Sequence, residues 1–408
     1  MPSVMHLVSL QQPAGVETLF SEFVVAAARR YPEWRHAWLN PARPAHAFLR
    51  RHSFFEESLR RSLTGVLHTK YLCGVKLPSR PRTVRLWHCR RLLREAGADV
   101  LLIWNRSAKL GHVVDAMGVD RCIHWEHGSA WFAGNERDRE RYFAAVPRAI
   151  ACSEAAARAL RLLWDYRGDV VVCRNGLRPS LLPTGPVGKR FAAGPVRLGV
   201  AARLSPVKGV AVVLHAFKLL REQGFDSELE IAGEGPELES LRALAKRLGV
   251  AARVRFHGAR CDMRDFYADL HALLHAPLNE PFGLVAIEAA AHGCPVVAAR
   301  VDGLPEAVAE GVTGYCVQPT LPLSAYRELG GSLEGVPGQV YDPGSGEFRA
   351  PQAVDPSALA AAVTRLLGDV GAYERMSAGA SAHVVRGFTF DGYIDTVMGV
   401  IDGLIAAR

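Results

Sequence analysis

The sequence predicts an α/β protein made of two parallel-sheet domains, and three observations support this. The chain has 408 residues, which is enough for two or three domains of ordinary size. In the second half, short apolar runs alternate with amphipathic segments of helical period. The first half repeats this alternation less clearly. Strands and helices that alternate at this spacing are typical of a parallel sheet covered by helices on both faces.

The second half shows the clearest succession of elements. Apolar residues recur at helical spacing over 210–223, and Pro236 and Gly249 mark the start and end of the next helix. Gly293 and Pro295 stop a later helix in the same way. The predicted strands are 196–202, 227–233, 254–258, 271–277 and 295–300, and the predicted helices are 210–223, 236–248, 263–270 and 283–292.

In the first half, a helix is predicted over 17–30, and Ser153 is expected to cap the helix that follows it. Residues 40–95 receive no assignment. The stretch 319–353 is rich in Gly and Pro and interrupts the alternation, which predicts a functional flap or a mobile insertion. The first-half strands are predicted at 4–9, 100–105, 122–126, 149–153 and 170–173.

Composition excludes several classes of protein. Hydrophobic residues make up 49% of the chain and charged residues 22%, which indicates a globular protein. No apolar run approaches the roughly 18 residues of a membrane-spanning helix, and residues 1–5 lack the pattern of a signal peptide. The eight cysteines are scattered singly without a CxxC pair, which argues against structural zinc and a disulfide framework. We therefore expect reduced thiols and a cytoplasmic location.

The charge is unevenly distributed between the two halves. Residues 1–194 contain 30 basic and 16 acidic residues, a net charge of +14, whereas 195–408 contain 19 and 25, a net charge of −6. The excess is concentrated over 50–94, with twelve Lys or Arg and only Glu56 and Glu57 as acids. Such a stretch suits an anionic membrane surface or nucleic acid, or simply a solvated face. The interleaved aromatic residues are Phe54, Phe55, Tyr71 and Trp87.

The strongest functional signal is the segment 280–288, which follows a predicted strand and enters a helix near Gly283. The free amides of Gly283, Leu284 and Val285 would then form a site for an anion at the positive end of the helix. Glu288 lies about one and a half turns further on, where a carboxylate can accept hydrogen bonds from two hydroxyl groups of a ribose. The plain alternative is that Glu280 and Glu288 are a loop and a surface glutamate.

A second signal follows the predicted strand 196–202. Arg203 and the pair Lys208-Gly209 lie at its carboxyl end, beside the start of a helix. In parallel sheets, ligands bind outside the carboxyl ends of the strands. A guanidinium fork and an ammonium group there can hold a diphosphate, although a solvated loop explains any single cation.

Taken together, these features resemble family 4 glycosyltransferases of the GT-B fold. The resemblance is firm over 195–318 and weaker elsewhere, and it fades over 30–120 and in the insertion. The motifs that carry it are, in order, Arg203-x4-Lys208-Gly209, Ile231-Ala-Gly-Glu-Gly-Pro236, Phe256-His-Gly258, Glu280-Pro-Phe-Gly-Leu-x2-Ile-Glu288-Ala, Gly293-Cys-Pro-Val-Val and Gly303-x-Pro305-Glu306, with Ala14-Gly-Val-Glu17, Glu126-His-Gly-Ser129, Ile150-Ala-Cys-Ser-Glu154 and Arg174-Asn-Gly176 as the weaker matches.

The resemblance implies two Rossmann-like domains facing each other across a deep cleft, with the C-terminal helix crossing back to the first domain. The first domain would cover 1–180, completed by 387–408. A linker would follow at 181–195, and the nucleotide-sugar domain would cover 196–386 with an insertion at 319–353. The apolar spacing over 388–405 agrees with a final amphipathic helix.

The family resemblance also assigns roles in the transfer of a sugar, with retained configuration, from a nucleoside-diphosphate sugar. Arg203 and Lys208 would hold the diphosphate and Glu288 the ribose. Gly15 would bring the first-domain loop against the phosphates. His127 would lie near the reacting centre, and Glu126 would be an acceptor-side partner. The pocket for the sugar and the phosphates would be lined by Glu280, Phe282, Gly283 and Leu284.

Three details qualify these expectations. The family usually has a second glycine in the first loop, where this chain has Ala14, so the approach to the diphosphate is narrower. His127 follows a predicted strand and suits a hydrogen bond to a sugar hydroxyl or proton transfer, whereas the plain alternative is a structural histidine. The sequence contains no Asp-x-Asp motif, so we expect no catalytic metal and no cofactor, with cations and helix amides stabilising the leaving group instead.

Several functions stay open at this point. The basic first domain favours a glycan or lipid-linked acceptor near an anionic membrane, such as lipopolysaccharide core or another cell-surface glycan, and a peripheral location without nucleic acid. A transferase for a small soluble acceptor and a non-catalytic nucleotide-sugar-binding protein are the alternatives. A dehydrogenase is disfavoured because 9–15 lacks a G-x-G-x-x-G turn after the first strand.

Overall fold

The computed structural model describes residues 1–10, 15–41, 53–72, 74–78, 80–105, 111–132, 136–185, 187–189, 194–260 and 262–407. The chain divides into two compact units. Unit 1 consists of Met1–Arg174 together with Phe390–Arg408, and unit 2 consists of Asn175–Thr389. The segment predicted as a linker, 181–195, is part of unit 2.

Unit 1 contains a seven-stranded sheet in the order β3-β2-β1-β6-β7-β8-β9, and all of its described pairings are parallel. A small antiparallel pair, β4 and β5, follows β3. The strands are β1 (Ser3–Leu7), β2 (Arg35–Asn40), β3 (Val66–His68), β4 (Tyr71–Leu72), β5 (Val75–Lys76), β6 (Val100–Trp104), β7 (Cys122–Glu126), β8 (Arg148–Ala151) and β9 (Asp169–Val172).

The helices of unit 1 lie between these strands. The side chain of Ser153 accepts a hydrogen bond from the amide of Ala156 at 2.9 Å, so the predicted cap is confirmed. The described helices up to this point are α1 (Gly15–Arg30), α2 (Ser53–Ser62), α3 (Arg82–Glu95), α4 (Gly111–Met117), α5 (Glu136–Ala145) and α6 (Glu154–Trp164).

Unit 2 contains a six-stranded parallel sheet in the order β12-β11-β10-β13-β14-β15. Two antiparallel pairs, β16 with β19 and β17 with β18, follow it. The strands are β10 (Val196–Ala201), β11 (Ser227–Ala232), β12 (Val254–Gly258), β13 (Ala272–His275), β14 (Val296–Ala299), β15 (Gly314–Val317), β16 (Pro319–Leu321), β17 (Val340–Asp342), β18 (Glu347–Arg349) and β19 (Ala353–Val354).

The helices of unit 2 cover both faces of this sheet, as the alternation predicts. They are α7 (Val210–Glu222), α8 (Leu238–Arg247), α9 (Arg264–Asp269), α10 (Leu284–Ala291), α11 (Leu304–Ala307), α12 (Leu323–Glu328), α13 (Pro356–Leu367) and α14 (Val370–Gly387), and the chain ends with α15 (Phe390–Ala406).

The final helix α15 belongs to unit 1, as the fold prediction requires. Its apolar face is buried in the core of that unit, where Ile394, Val397 and Ile401 are fully buried beside α1 and the sheet. The hydroxyl of Tyr31, just after α1, donates a hydrogen bond to Asp395 at 2.7 Å. Burial of this apolar stripe is the main force that holds α15 in unit 1.

The segment 319–353 differs from the long unstructured loop that the sequence predicts. It contains α12 and three short strands, and Tyr326 and Val340 are buried in the core of unit 2. The hydroxyl of Tyr326 donates a hydrogen bond to the carbonyl of Pro206 at 3.0 Å. The Gly and Pro content reflects tight turns between short elements rather than a lack of structure.

Candidate functional site

The sheet of unit 2 has a topological switch point between β10 and β13. The chain leaves β10 towards β11 on one side, while β13 pairs with β10 on the other. The crevice outside the carboxyl ends of two such strands is where open parallel sheets bind ligands. The loops after β10 and β13 carry the predicted residues Arg203, Lys208 and Glu280.

These two loops are joined directly to each other. The amide of Leu278 donates a hydrogen bond to the carbonyl of Val207 at 2.8 Å. Gly209 has a φ of +64°, and a Cβ at this position would lie 2.0 Å from the carbonyl oxygen of Ala276. Only glycine allows both the left-handed conformation and the close approach, and this contact sets Lys208 beside the loop after β13.

Glu280 accepts hydrogen bonds from two side chains of the site. Its Oε2 lies 2.8 Å from Nζ of Lys208 and 3.0 Å from Nε2 of His275, the last residue of β13. Burial raises the pKa of Glu280, but the Lys208 charge and the His275 hydrogen bond outweigh it and hold the pKa well below its ordinary value. Glu280 is therefore an ionised carboxylate, paired with Lys208.

The backbone of Glu280 is held by the turn after β14. Its amide donates a hydrogen bond to Oδ2 of Asp302 at 2.9 Å, and its carbonyl accepts one from the amide of Gly303 at 3.2 Å. The same Oδ2 accepts from Nδ2 of Asn279 at 2.6 Å, while Oδ1 accepts from the amide of Tyr341 in β17 at 2.7 Å. Asp302 thus connects segment 319–353 to the Glu280 loop.

The predicted anion site at the start of α10 has the expected backbone. Gly283 precedes the helix with a φ of +102°, and a Cβ there would lie 2.4 Å from the side chain of Leu304. Leu284 is the first helical residue and is half-buried. Phe282 is 2% exposed, with its ring 6.0 Å from that of Phe388. The side chain of Phe282 packs in the core below the loop that precedes α10. The role of Phe282 in lining a pocket for the sugar and the phosphates stays a prediction.

Glu288 is the predicted ribose-binding carboxylate, and its side chain is 5% exposed. Its Oε1 accepts hydrogen bonds from Nε and Nη2 of Arg178 at 3.2 and 2.8 Å. Its Oε2 accepts one from the hydroxyl of Tyr267 at 2.9 Å. Each carboxylate oxygen has two lone pairs, so this arrangement fixes the orientation of Glu288 and leaves capacity for a further hydroxyl donor.

Arg203 differs from Lys208 in its environment. Its side chain is exposed and makes no side-chain hydrogen bond or ion pair with any residue that the structure describes. The structure therefore places Lys208 and Glu280 together at the switch point and leaves Arg203 at its exposed margin. A bound anion is the natural partner for such a cation.

In unit 1, His127 follows β7 as predicted, and its ring stacks on that of Trp104 with centroids 5.5 Å apart. Its amide donates a hydrogen bond to Oδ1 of Asn105 at 3.1 Å, and its buried Nε2 has no partner among the described residues. Burial lowers the pKa of His127 to about 3, against the opposing charge of Glu126. The imidazole is therefore neutral near pH 7 and suits a hydrogen bond rather than an ion pair.

The described contacts of Glu126 are with its own strand and loop, and its role as an acceptor-side partner stays a prediction. Its carboxylate is fully buried and accepts hydrogen bonds from the amides of Gly128 and Ala130 and from the side chains of His124 and Ser129. Burial raises its pKa, but these bonds hold the pKa below its ordinary value. Glu126 folds the loop that carries His127.

Two other predictions concern unit 1 and the metal. Gly15 is the exposed first residue of α1, and the neighbouring Ala14 lies outside the described residues. The contact of Gly15 with a diphosphate stays a prediction. Within the described ranges, no group of three or more His, Cys, Asp or Glu is arranged to hold a metal ion.

Sequence reasoning missed the residues that position the site. Arg178 lies two residues after the weaker motif match Arg174-Asn-Gly176, and a charge close to that match was the available signal. Tyr267, His275 and Asp302 carried no signal, because their partners are far away in the sequence.

Comparison with known proteins supports the assignment of the fold. Residues 189–328 match the family model described as "Glycosyl transferases group 1". The matched residues lie within unit 2 and include the switch point with Lys208 and Glu280. A D-inositol 3-phosphate glycosyltransferase of Streptomyces griseus is 36% identical over 210 residues, which cover 47% of this chain and 42% of the relative. A glycogen synthase of Mycobacterium tuberculosis is 35% identical over 205 residues, which cover 49% and 47%.

The chain thus spans less than half the length of these two curated relatives. A solved structure resembles it over almost its whole length: Anabaena Alr3699/HepE in complex with UDP and glucose, with a TM-score of 0.71, 19% identity and coverage of 99% of this chain and 100% of that one. This similarity shows that the chain has the two-domain GT-B fold.

Proposed function

We propose that the protein is a retaining glycosyltransferase that moves a sugar from a nucleoside-diphosphate sugar to a glycan or glycolipid acceptor in the assembly of a cell-surface glycan, such as lipopolysaccharide core. The observation that carries the proposal is the arrangement at the switch point of unit 2. There a paired lysine and glutamate and an exposed arginine lie on loops at one edge of the sheet, next to the start of the helix that carries an oriented glutamate.

The chemistry of sugar transfer suits this arrangement. The sugar passes through a state with oxocarbenium character while the diphosphate leaves with growing negative charge. Arg203, Lys208 and the amides that begin α10 would stabilise the leaving group without a metal. Glu280 is an ionised carboxylate that would stabilise the cationic sugar, and Glu288, oriented by Arg178, would bind the ribose.

Unit 1 would supply the acceptor side. The neutral imidazole of His127, with its unpartnered nitrogen, would hydrogen-bond a sugar hydroxyl close to the reacting centre. The loop at Gly15 would approach the donor phosphates.

Binding of the donor tests the core of the proposal. In a thermal-shift panel of nucleoside diphosphates and their sugars, a ligand at 100 times its Kd should stabilise the protein by about 2.7 kcal/mol. UDP-sugars come first in the panel because a protein of the same fold was solved with UDP and glucose. Turnover of the best donor distinguishes an enzyme from a non-catalytic binding protein. Proton NMR of the product's anomeric configuration then shows whether the enzyme retains that configuration. No stabilisation by any nucleotide would reject the proposal.

The exposed face of α3 supports an acceptor near a membrane. Trp87 is 55% exposed, and Arg90, Arg91 and Arg94 on the same side of the helix are exposed as well. The side chains of Phe54 and Phe55, which the sequence also suggested for this role, lie outside the described residues. The structure describes no helix that is both long and apolar enough to cross a membrane. Peripheral attachment through α3 at the cytoplasmic face is our proposal.

The alternative acceptor is small and soluble, because one curated relative is named for inositol 3-phosphate. Flotation with anionic vesicles distinguishes the two acceptors. Each basic residue near the surface contributes about 1 kcal/mol of attraction that salt weakens. We expect binding at low salt that is lost at high salt and reduced when Arg60, Arg61, Arg90 and Arg91 are changed to Gln. Absence of binding at low salt would favour the soluble acceptor.

A further inference from the structure

Unit 1 contains a second cluster of basic and polar side chains at the carboxyl edge of its sheet. Thr69 directly follows β3, Arg85 lies in the first turn of α3, and His112 lies at the start of α4. Helices that connect parallel strands begin at the carboxyl edge of the sheet, so all three residues lie on the side where such sheets bind ligands.

Two hydrogen bonds fix α3 to its neighbours on either side of Arg85. A ring nitrogen of His88 donates to the carbonyl of His68 at 2.9 Å, which ties α3 to the end of β3. Nη2 of Arg82 donates to Asp115 at 2.8 Å, which ties α3 to α4. Arg85 is one helical turn from both anchors and therefore faces the space between them.

Several polar atoms in this space are buried without a partner. Oγ1 of Thr69, Nε of Arg85 and Nε2 of His112 make no hydrogen bond with any residue that the structure describes. Thr69 is 0% exposed and His112 is 7% exposed. Arg85 is held in place by the bond from its Nη2 to the carbonyl of Leu77 at 3.0 Å. Nε of Arg85 is a donor, and the Thr69 hydroxyl and Nε2 of His112 can both donate. An unpartnered buried donor costs about 1–3 kcal/mol, so an acceptor that reaches all three would remove this cost.

The charge of the cluster indicates the sign of that acceptor. Burial and, to a smaller extent, the charges of Arg85, Arg82 and Lys70 together lower the pKa of His112 to about 4, with only Asp115 opposing. The first turn of α3 contains no acidic residue, so these cations add to the positive end of the helix. An anion is the group that satisfies both the unpartnered donors and the excess charge.

We propose that Thr69, Arg85 and His112 form an anion-binding site in unit 1 that takes a phosphate group. A phosphate offers oxygens in several directions, which suits donors on three separate elements, whereas a carboxylate is planar and suits one arginine fork. None of its three residues is among those assigned to the donor, and all three belong to unit 1. That the phosphate is part of the acceptor rests on the proposed function, whereas the site itself does not.

Inorganic phosphate, compared with chloride at equal ionic strength, tests the site in the full chain. Tryptophan fluorescence reports unit 1 alone, because all seven tryptophans lie in it. The Arg203→Ala variant serves as the background, because phosphate also suits the donor site. We expect phosphate to raise the unfolding midpoint, and its apparent Kd to rise at least about tenfold in Arg85→Gln and His112→Gln.

Arg158→Gln is the matched control, because Arg158 is an exposed arginine on α6, another helix of unit 1, and should leave the Kd unchanged. Equal phosphate binding by Arg85→Gln, or no stabilisation of the parent protein, would overturn the site. If Arg85→Gln does not fold, NMR titration of His112 in the parent protein decides instead. A bound phosphate should shift the pKa of His112 upwards, and an unmoved pKa would overturn the proposal.

Two probes then distinguish the sources of the phosphate. Binding of glycerol 3-phosphate that depends on Arg85 indicates a soluble phosphorylated ligand. Binding that depends on Arg85 and occurs only with phosphatidic acid vesicles indicates a lipid headgroup. Phosphate binding without sugar transfer would reject the proposed function and leave the site intact.

Discussion

Lys208 and Glu280 form a largely buried ion pair. Their side chains are 23% and 13% exposed, and the two groups are 2.8 Å apart. A donor diphosphate would approach a lysine that is already neutralised, while Arg203 remains exposed. Substitution of Lys208 should therefore lower the stability of the fold more than substitution of Arg203. Only the loss of Lys208 leaves the carboxylate of Glu280 largely buried with fewer partners.

Replacement of either cation by alanine should impair sugar transfer. We expect Arg203→Ala and Lys208→Ala each to raise the barrier by about 2–4 kcal/mol, because each removes a contact that strengthens as the leaving group ionises. Only Lys208→Ala should also lower the unfolding midpoint. Steady-state kcat/KM and thermal unfolding of both variants provide the measurements. Lys246→Ala, an exposed lysine on α8, is the control, and near-normal turnover in both variants would refute the assignment.

The same cations should make the enzyme independent of metal. Chelation with EDTA should leave turnover almost unchanged, because Arg203, Lys208 and the amides that begin α10 supply the positive charge that a divalent ion supplies elsewhere. Turnover measured before and after EDTA, and after addition of Mg²⁺ or Mn²⁺, gives the answer. Complete loss with EDTA that either ion restores would contradict this prediction.

At the scale of elements, the turn after β14 holds the Glu280 loop in place. Asp302 has a φ of +48° and is 1% exposed, and its carboxylate accepts hydrogen bonds from three nitrogens. One of these belongs to Tyr341 in β17, so segment 319–353 is connected to the loop that carries Glu280. Segment 319–353 is therefore a support for the Glu280 loop and not the mobile flap that the sequence predicts.

Asp302→Asn should loosen this support without altering the shape of the turn. Asparagine tolerates the left-handed conformation, but its NH2 group would face one of the three donors. We expect a loss of stability of about 1–3 kcal/mol and a fall in kcat/KM at temperatures where the variant is fully folded. Urea unfolding and initial rates measure the two effects. Glu347→Gln, an exposed change in β18, should alter neither, and unchanged kcat/KM in Asp302→Asn would exclude a positioning role.

The strands and helices predicted in unit 2 agree with the observed ones to within two residues at either end, because their signals are local. Strand 254–258 agrees with β12 at both ends, and helix 210–223 with α7 within one residue. The short strands and helices within 40–95 and 319–353 were not predicted, because distant partners stabilise them. Tyr326, for example, depends on the carbonyl of Pro206, 120 positions away. The same reason explains why Glu280 and Glu288 were found and their partners His275 and Arg178 were not.

At the scale of the whole molecule, buried histidines in unit 1 make its stability sensitive to acid. Nε1 of Trp104 donates a hydrogen bond to Nδ1 of His6 at 3.2 Å. The other ring nitrogen of His6, Nε2, therefore carries the proton and donates to Nδ1 of His36 at 2.9 Å. This chain of bonds fixes both rings as neutral, because a second proton on His6 would displace the bond from Trp104.

Burial lowers the pKa of His36 to about 4 and lowers that of His6 well below 6.5, with the charge of His36 as a second cause. Both histidines have a pKa near 6.5 in the unfolded chain. Between pH 6.5 and 4 the unfolded state therefore binds more protons than the folded state, and the free energy of unfolding decreases as the pH decreases. Above pH 6.5 neither state binds these protons, so the effect disappears.

The His36→Asn variant should weaken this acid sensitivity. The Oδ1 of asparagine occupies nearly the same position as Nδ1 of histidine, so it can still accept the hydrogen bond from His6, but it does not titrate. Each buried histidine contributes a slope of about 1.4 kcal/mol per pH unit between pH 6.5 and 4, and the variant should lose about one such contribution. Urea unfolding of unit 1, followed by tryptophan fluorescence from pH 7.5 to 4.5, measures the slope. His383→Asn, in unit 2, is the control and should leave it unchanged. An identical slope in His36→Asn and the parent protein would show that His36 takes up no protons on unfolding.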